Sequence, residues 1–382
     1  VKFNLKRFGA MSKNILIIGG GTGGHISPGI ALYEKMGEDG SMSPLFLTGK
    51  SDLRFGSFTD IDSAKLFTYN APSLTRNPFK IPMFLLRFTG SVLKTMRVIR
   101  KNNVSAVVGM GGYVSAPALV AAKFRKVPIF LCEQNTVPGK VTIKFEKHCE
   151  KIFGTFPDSV SYFKMPEKYI HCGNPIRNNV LVQTPKNEAK KAFHLEHCDK
   201  IILIIGGSQG AVKLNDLVLG LKKAYPHEFK NIGIIWSTGD YSFDDYKNKS
   251  QNEVEAGSVY LSPYIRKVGK AYRACDISIS RSGAGVMMEL AAAGVPSILI
   301  PYPHAAMDHQ SKNADSFVNA GAAVKIKDED AVAEKVAPVL FDLLNHPRKL
   351  KTMSDCAKQA AKTDAADVIV KNIKETLDLR GK

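Results

Sequence analysis

Residues 15–25 read Ile-Leu-Ile-Ile-Gly-Gly-Gly-Thr-Gly-Gly-His. The four apolar residues show no polar alternation. They read as a strand buried on both faces, the habit of parallel sheets. Helical spacing resumes over residues 26–36. The glycine-rich turn between them presents backbone N–H groups without Cβ obstruction, so an anion or a hydroxylated group can come close. His25 is the loop's only side chain that titrates near neutral pH. The pattern restarts at Ile201-Ile202-Leu203-Ile204-Ile205, followed by Gly206-Gly207-Ser208-Gln209-Gly210.

Between and beyond these two starts, short apolar runs alternate with helical stretches. Candidate strands are 14–18, 44–48, 106–108, 128–132, 152–154 and 169–171, then 200–205, 233–237, 259–261, 276–280 and 297–300. The alternation predicts an α/β protein of two doubly wound (Rossmann-like) parallel-sheet domains facing across a cleft. Gly173-Asn174-Pro175 breaks regular structure and marks the join. The expected bounds are 11–173 and 174–357, with residues 1–10 a disordered extension. Ligands of such sheets bind at the carboxyl ends of the strands.

The chain has 382 residues, too long for one comfortable core, and no apolar run of membrane-spanning length. Six cysteines without paired spacing fit reduced thiols rather than a disulfide frame. His194-x-x-His197-Cys198 lacks a second ligand cluster, and His304 with His309 is a further weak metal pair, so no metal is expected. The net charge is +18, and Ser63–Cys132 holds eleven basic residues and no acidic one. Nucleic acid or an anionic membrane suits such a surface. Leu85, Phe88, Val92, Met96 and Ile99 have the spacing of an inward helix face. Phe79, Lys80, Ile81, Phe84, Arg87 and Phe88 mix apolar and basic residues, as an interfacial membrane contact does.

Five further strings sit after predicted strands. Gly109-Met110-Gly111-Gly112-Tyr113 is a second bare turn. Glu133-Gln134-Asn135 supplies carboxylate and amide groups that suit a polyhydroxy substrate. The loop 206–210 opens a helix and suits a diphosphate, without the Lys-Ser/Thr pair of a nucleoside triphosphatase. Arg281-Ser282-Gly283-Ala284-Gly285 leads to Glu289, whose carboxylate can accept ribose hydroxyls. His304, Asp308, His309 and Gln310 follow the strand at 297–300 and suit sugar hydroxyls.

In combination, residues 19–28, 109–115, 133–135, 173–177, 206–211, 281–284, 289–294 and 309–310 resemble the MurG family of bacterial N-acetylglucosaminyltransferases. The likeness runs from about Ser12 to about Gly321. It implies a glycosyltransferase B-type fold and conversion of lipid I to lipid II in peptidoglycan synthesis. UDP-N-acetylglucosamine would bind the C-terminal domain and the membrane-borne lipid I the N-terminal one. No cofactor and no nucleic acid partner are implied. The expected place is peripheral, on the cytoplasmic face of the plasma (inner) membrane, with its anionic surface and other cell-wall and division proteins as candidate partners. A terminal helix, 358–382, would cross back to the first domain.

The resemblance also implies roles for single residues. Arg177, Ser208, Gln209 and Gly210 would meet the diphosphate. Ile265 and Ala284 would border the uracil and Glu289 would hold the ribose. His309 and Gln310 would contact the sugar, although relatives often carry Gln-Gln there. Gly285-Val286 stands where Leu-Thr is common. Thr22, Gly23, Gly24, Gly111, Gly112, Tyr113 and Asn135 would lie on the acceptor side. His25 would take the proton of the attacking C4 hydroxyl in a single inverting displacement, with Glu133 a competing base. Other readings are another glycolipid-directed B-type glycosyltransferase, a sugar-nucleotide epimerase, or a basic nucleic-acid-binding protein.

Overall fold

The structure is a computed structural model that describes residues 12–55, 58, 61–71, 77–207 and 209–380. The expected extension 1–10 lies outside them. The first half runs β1 (Lys13–Ile18), α1 (Gly23–Asp39), β2 (Met42–Gly49), β3 (Leu66–Tyr69), α2 (Ile81–Lys101), β4 (Val104–Gly109), α3 (Gly112–Phe124), β5 (Ile129–Glu133), α4 (Lys140–Phe145), β6 (Lys151–Gly154) and β7 (Tyr169–His171). The second half runs α5 (Lys186–Lys191), β8 (Lys200–Ile205), α6 (Val212–Ala224), β9 (Ile232–Ser237), α7 (Phe243–Lys249), α8 (Gln251–Glu255), β10 (Val259–Ser262), α9 (Val268–Ala274), β11 (Ile277–Ser280), α10 (Ala284–Ala293), β12 (Ser297–Leu299), α11 (His309–Asn319), β13 (Ala323–Lys325), α12 (Ala333–Asn345), α13 (Pro347–Ala360) and α14 (Ala365–Arg380).

Among the described residues the strands form two sheets, ordered β3-β2-β1-β4-β5-β6-β7 and β10-β9-β8-β11-β12-β13. Every pairing is parallel. Side chains alternate across a strand, so a strand covered on both faces must be apolar throughout. Ile15 and Ile17 of β1 pack with Ile26 and Ile30 of α1 and Ile369 and Ile373 of α14. Leu16 and Ile18 face the other way, onto Val92 and Ile99 of α2 and Val114 and Leu119 of α3. In β8, Ile201, Leu203 and Ile205 join one core layer and Ile202 and Ile204 the opposite one.

Two short edge strands, β3 and β13, have no counterpart among the predicted ones. Their residues are mostly half-buried, so their apolar signal is weak. The crossing helix starts later than expected. Lys358–Ala360 belong to α13, and α14 begins at Ala365. It rests on α1 and ties to the first sheet through Lys151 Nζ donating to Asn372 Oδ1 at 2.6 Å. The two crossings between domains lie together, where Lys362 Nζ donates to the His171 carbonyl at 3.0 Å.

The inward face of α2 differs from the predicted stripe. Ser91, Val92, Thr95, Val98 and Ile99 are buried, whereas Leu85 is 55% exposed. Thr95 Oγ1 donates to the Ser91 carbonyl at 2.9 Å, which lets a polar residue sit inward. In the first turns of α2, Ile81, Met83, Leu85 and Leu86 are exposed and Phe84 and Phe88 partly buried.

Candidate active site

Parallel strands bring all their carboxyl ends to one rim, and the two rims face each other across a cavity of about 360 Å³. Thr22, Gly23, Gly24, His25, Ser27, Gln134 and Asn135 line it from the first domain. Arg177, Gly207, Ile265, Tyr272, Ala284, Gly285, Val286, Glu289, His309 and Gln310 line it from the other side. Residues 262 positions apart therefore meet: Ser27 Oγ donates to Glu289 Oε1 at 3.2 Å.

His25 sits in the first turn of α1, after Thr22 in extended backbone at the N-cap. Its Nδ1 lies 3.0 Å from Thr22 Oγ1, which fixes the ring and leaves Nε2 as the other nitrogen. Behind the ring run Gly111 and Gly112, at φ +83° and +72°. A Cβ on either would stand 3.2 Å from an imidazole carbon. Burial of the ring, and then the positive charge of nearby His309, lower the His25 pKa to about 4. At pH 7 the ring is therefore neutral, the form that accepts a proton.

The glycine loop has an anchor outside its own sequence. Asp52 is buried, and its Oδ2 accepts from Gly21 N at 3.0 Å, Gly49 N at 3.1 Å and Thr48 Oγ1 at 3.2 Å. A carboxylate in that place draws the loop down onto the end of β2. Gly20 and Gly49 leave the room it occupies.

Glu133 is corrected from base candidate to loop anchor. Its Oε1 accepts from Asn135 N at 3.1 Å, and its Oε2 from Gly139 N at 2.9 Å and Thr142 Oγ1 at 2.7 Å. Burial raises its pKa and these bonds oppose that rise. It does not line the cavity, and three local donors already occupy its two oxygens. Gly111, Gly112 and Tyr113 also lie off the cavity wall, the two glycines serving as the bed of His25. Asn135 lines the cavity, but its Oδ1 also accepts from Asn313 Nδ2 at 3.2 Å. Asn313 Oδ1 in turn accepts from Thr136 N at 2.9 Å and Thr136 Oγ1 at 3.0 Å. Asn313, on α11, is fully buried and joins the two domains.

On the other wall, α10 starts at Ala284, and its first residues line the cavity with their N–H groups unpaired within the helix. Glu289 follows on α10; its Oε2 accepts from Tyr272 Oη at 2.8 Å, and Arg177 Nη2 lies 3.9 Å from its Oε1. Arg177 Nε is buried with no hydrogen-bond partner. His309 Nδ1 donates to the Ala306 carbonyl at 2.8 Å, and Gln310 Oε1 accepts from Tyr302 N at 2.9 Å. Met307 and Asp308, just before them, hold φ of +53°. Among the described residues of the second glycine loop, only Gly207 reaches the cavity. Gln209 is exposed, and Gly210 is pressed against Thr238 and Gly239; neither lines the cavity. Ser208 lies outside the described residues.

Several wall residues were not legible in the sequence. Ser27 lies within the stretch 19–28 but has no role assigned from it, Tyr264 is adjacent to Ile265, and Tyr272 carries no motif. Among the described residues no three His, Cys, Asp or Glu side chains gather where they could hold a metal ion. Away from the cavity, Phe79 is 92% and Leu86 69% exposed, with Ile81, Met83, Leu85, Lys80 and Arg87 also exposed. Phe84 and Phe88 are partly buried and pack together at 5.9 Å between centroids. Among the described residues no helix is long and apolar enough to cross a membrane.

Comparison with known proteins adds independent findings. Residues 15–154 match the glycosyltransferase family 28 N-terminal domain, and residues 201–369 match the C-terminal domain of that family. The chain is 31% identical over 370 residues to the UDP-N-acetylglucosamine--N-acetylmuramyl-(pentapeptide) pyrophosphoryl-undecaprenol N-acetylglucosamine transferase of Desulforamulus reducens, covering 95% of this chain and 98% of that one. It is 33% identical over 359 residues to the protein of the same name from Leptospira interrogans, covering 93% and 97%. Among solved structures, MurG of Acinetobacter baumannii superposes with a TM-score of 0.69 at 25% identity, covering 95% of this chain and 99% of that one. An S. aureus MnaA structure with UDP has a TM-score of 0.68 at 14% identity, over 96% and 97%, a likeness of fold alone.

Proposed function

The chain belongs to glycosyltransferase family 28, and from that premise we propose that it moves N-acetylglucosamine from UDP-N-acetylglucosamine to the C4 hydroxyl of lipid I, forming lipid II. One observation carries this reading. A neutral imidazole on the first domain faces, across one cavity, a wall of free helix N–H groups, the partly buried Arg177 and Glu289 on the second. A base opposite an anion cradle is what an in-line displacement at a sugar carbon needs.

In this reading the acceptor hydroxyl approaches from the first domain and gives its proton to His25 Nε2. Thr22 holds the ring at Nδ1 meanwhile. The hydroxyl oxygen attacks C1 of the donor sugar, and the bond from C1 to the diphosphate oxygen breaks with inversion. Charge builds on the departing diphosphate. Arg177 and the first N–H groups of α10 meet that charge, an arrangement that lowers the barrier because the dipoles are already oriented. Bound diphosphate also brings negative charge near His25 and raises its affinity for the proton. Ile265 and Ala284 border the base of the nucleotide, Glu289 holds the ribose, and His309 and Gln310 contact the sugar. To hold the ribose, Glu289 shares its carboxylate with Ser27 and Tyr272. Gln209 would reach the diphosphate only if its loop moves inward.

The acceptor is borne by a lipid, and the exposed apolar and basic residues at the start of α2 suit an anionic membrane surface. The protein would then work peripherally, on the cytoplasmic face. His25→Ala tests the chemical assignment. General-base loss predicts a fall in turnover of about 10²–10⁴-fold with UDP affinity unchanged. Lost UDP binding with surviving turnover would remove His25 from the role.

A further inference from the structure

Gln134 is the residue after β5, and 3% of it is exposed. Its Nε2 donates to the Cys132 carbonyl at 3.5 Å, while its Oε1 has no hydrogen-bond partner. Turning the amide over would set Oε1 against the Cys132 carbonyl, so the observed orientation is the favoured one. Gln134 lines the cavity beside His25. The point where a Gly111 Cβ would stand is 3.3 Å from Gln134 Oε1 and 3.3 Å from His25 Nε2. The two atoms thus lie within two such contacts of each other, over the bare backbone of Gly111.

A buried acceptor without a donor is a standing deficit that a ligand can remove. A carbonyl oxygen only accepts, so a phosphate oxygen or a second carbonyl cannot satisfy it. The reacting hydroxyl has one proton, which His25 takes. The partner must therefore be another donor of the same substrate. We propose that Gln134 Oε1 accepts a hydrogen bond from a second hydroxyl or amide N–H of the acceptor sugar, next to the reacting hydroxyl, and so decides which hydroxyl faces His25. This inference rests on the reading of His25 as the acceptor's base. It makes Gln134 a specificity residue for neutral, donor-bearing sugars.

The test compares Gln134→Met with the unaltered chain on a lipid I analogue, and on analogues lacking the 6-hydroxyl or the N-acetyl N–H. For Gln134→Met, kcat/KM for the acceptor should fall about tenfold to a hundredfold, with UDP affinity and thermal midpoint unchanged. One of the two analogues should lose a similar factor with the unaltered chain but little further with Gln134→Met. Gln134→Glu, whose buried carboxyl when protonated donates to the Cys132 carbonyl and keeps an accepting oxygen, should recover part of the loss at acidic pH. A folded Gln134→Met with unchanged kcat/KM would overturn the proposal and leave Oε1 to a resident water. Should that variant fail to fold, the analogues decide with the unaltered chain: no loss with either would overturn it. Absence of transfer by the unaltered chain on every acceptor would instead overturn the glycosyl-transfer reading, and this inference with it.

Discussion

Replacing Gly111 with alanine probes how the histidine is seated. Gly111 holds φ +83° and ψ −172°, a region that only glycine occupies freely. A side chain there costs on the order of 1–3 kcal/mol in backbone strain. The added methyl would also stand 3.2 Å from His25 Cδ2 and 3.3 Å from Nε2. Ordinary carbon contacts are roughly 3.5–4.0 Å, so the ring must give by a few tenths of an ångström. It has little room, because Gly112 backs its other edge and Thr22 holds Nδ1 at 3.0 Å. A displacement of about 1 Å in a reacting group can cost about 10²-fold in rate. Gly111→Ala should therefore lower turnover by roughly 10–10²-fold. It should lower the thermal midpoint by roughly 3–10 °C for a domain of this size. UDP affinity should stay within about twofold, because the other wall is untouched. The assays are acceptor-dependent UDP release, thermal melting and UDP titration calorimetry. Wild-type turnover in a folded Gly111→Ala protein would refute the claim that bare backbone seats the base.

Two other perturbations separate the remaining parts of the account. Electrostatic repulsion from His309 is the second of the two causes, after burial, that depress the His25 pKa to about 4, so His309→Gln should raise it. The acid limb of the kcat/KM profile, which reports protonation of the free enzyme's base, should then move to higher pH; an unmoved limb would dissociate it from His25. Phe79→Ser with Leu86→Ser removes two exposed apolar side chains, each contributing about 1.5–3 kcal/mol when buried. Binding to anionic vesicles should weaken at least about tenfold with turnover on a short-chain soluble acceptor retained, and unchanged vesicle binding would discard the patch.

What could be read in advance had a local cause. Ile15–Ile18 and Ile201–Ile205 are apolar at every position because both faces are covered, and that property is visible within a few residues. The glycine loops after them are visible for the same reason. Asp52 carries no such signal: its partner Gly21 lies 31 positions earlier, and nothing local marks a carboxylate as the anchor of a distant loop. Asn313 and Asn135 are 178 positions apart, and their bond exists only because two domains close on each other. Glu133 shows the opposite failure. A carboxylate in a polar string after a strand reads as chemistry, yet three local donors occupy it. Leu85 shows the same limit in a helix: spacing gives a face, but only the neighbouring sheet decides how far along the helix that face is covered.

The most direct measurement is proton NMR of UDP-N-acetylglucosamine incubated with the protein, with and without a lipid I analogue. The account predicts no change to the sugar nucleotide alone. With the acceptor present, it predicts release of UDP matched by a disaccharide with inverted, β-configured linkage. Acceptor-independent inversion at C2 of the donor, as a 2-epimerase of similar fold would give, would contradict it.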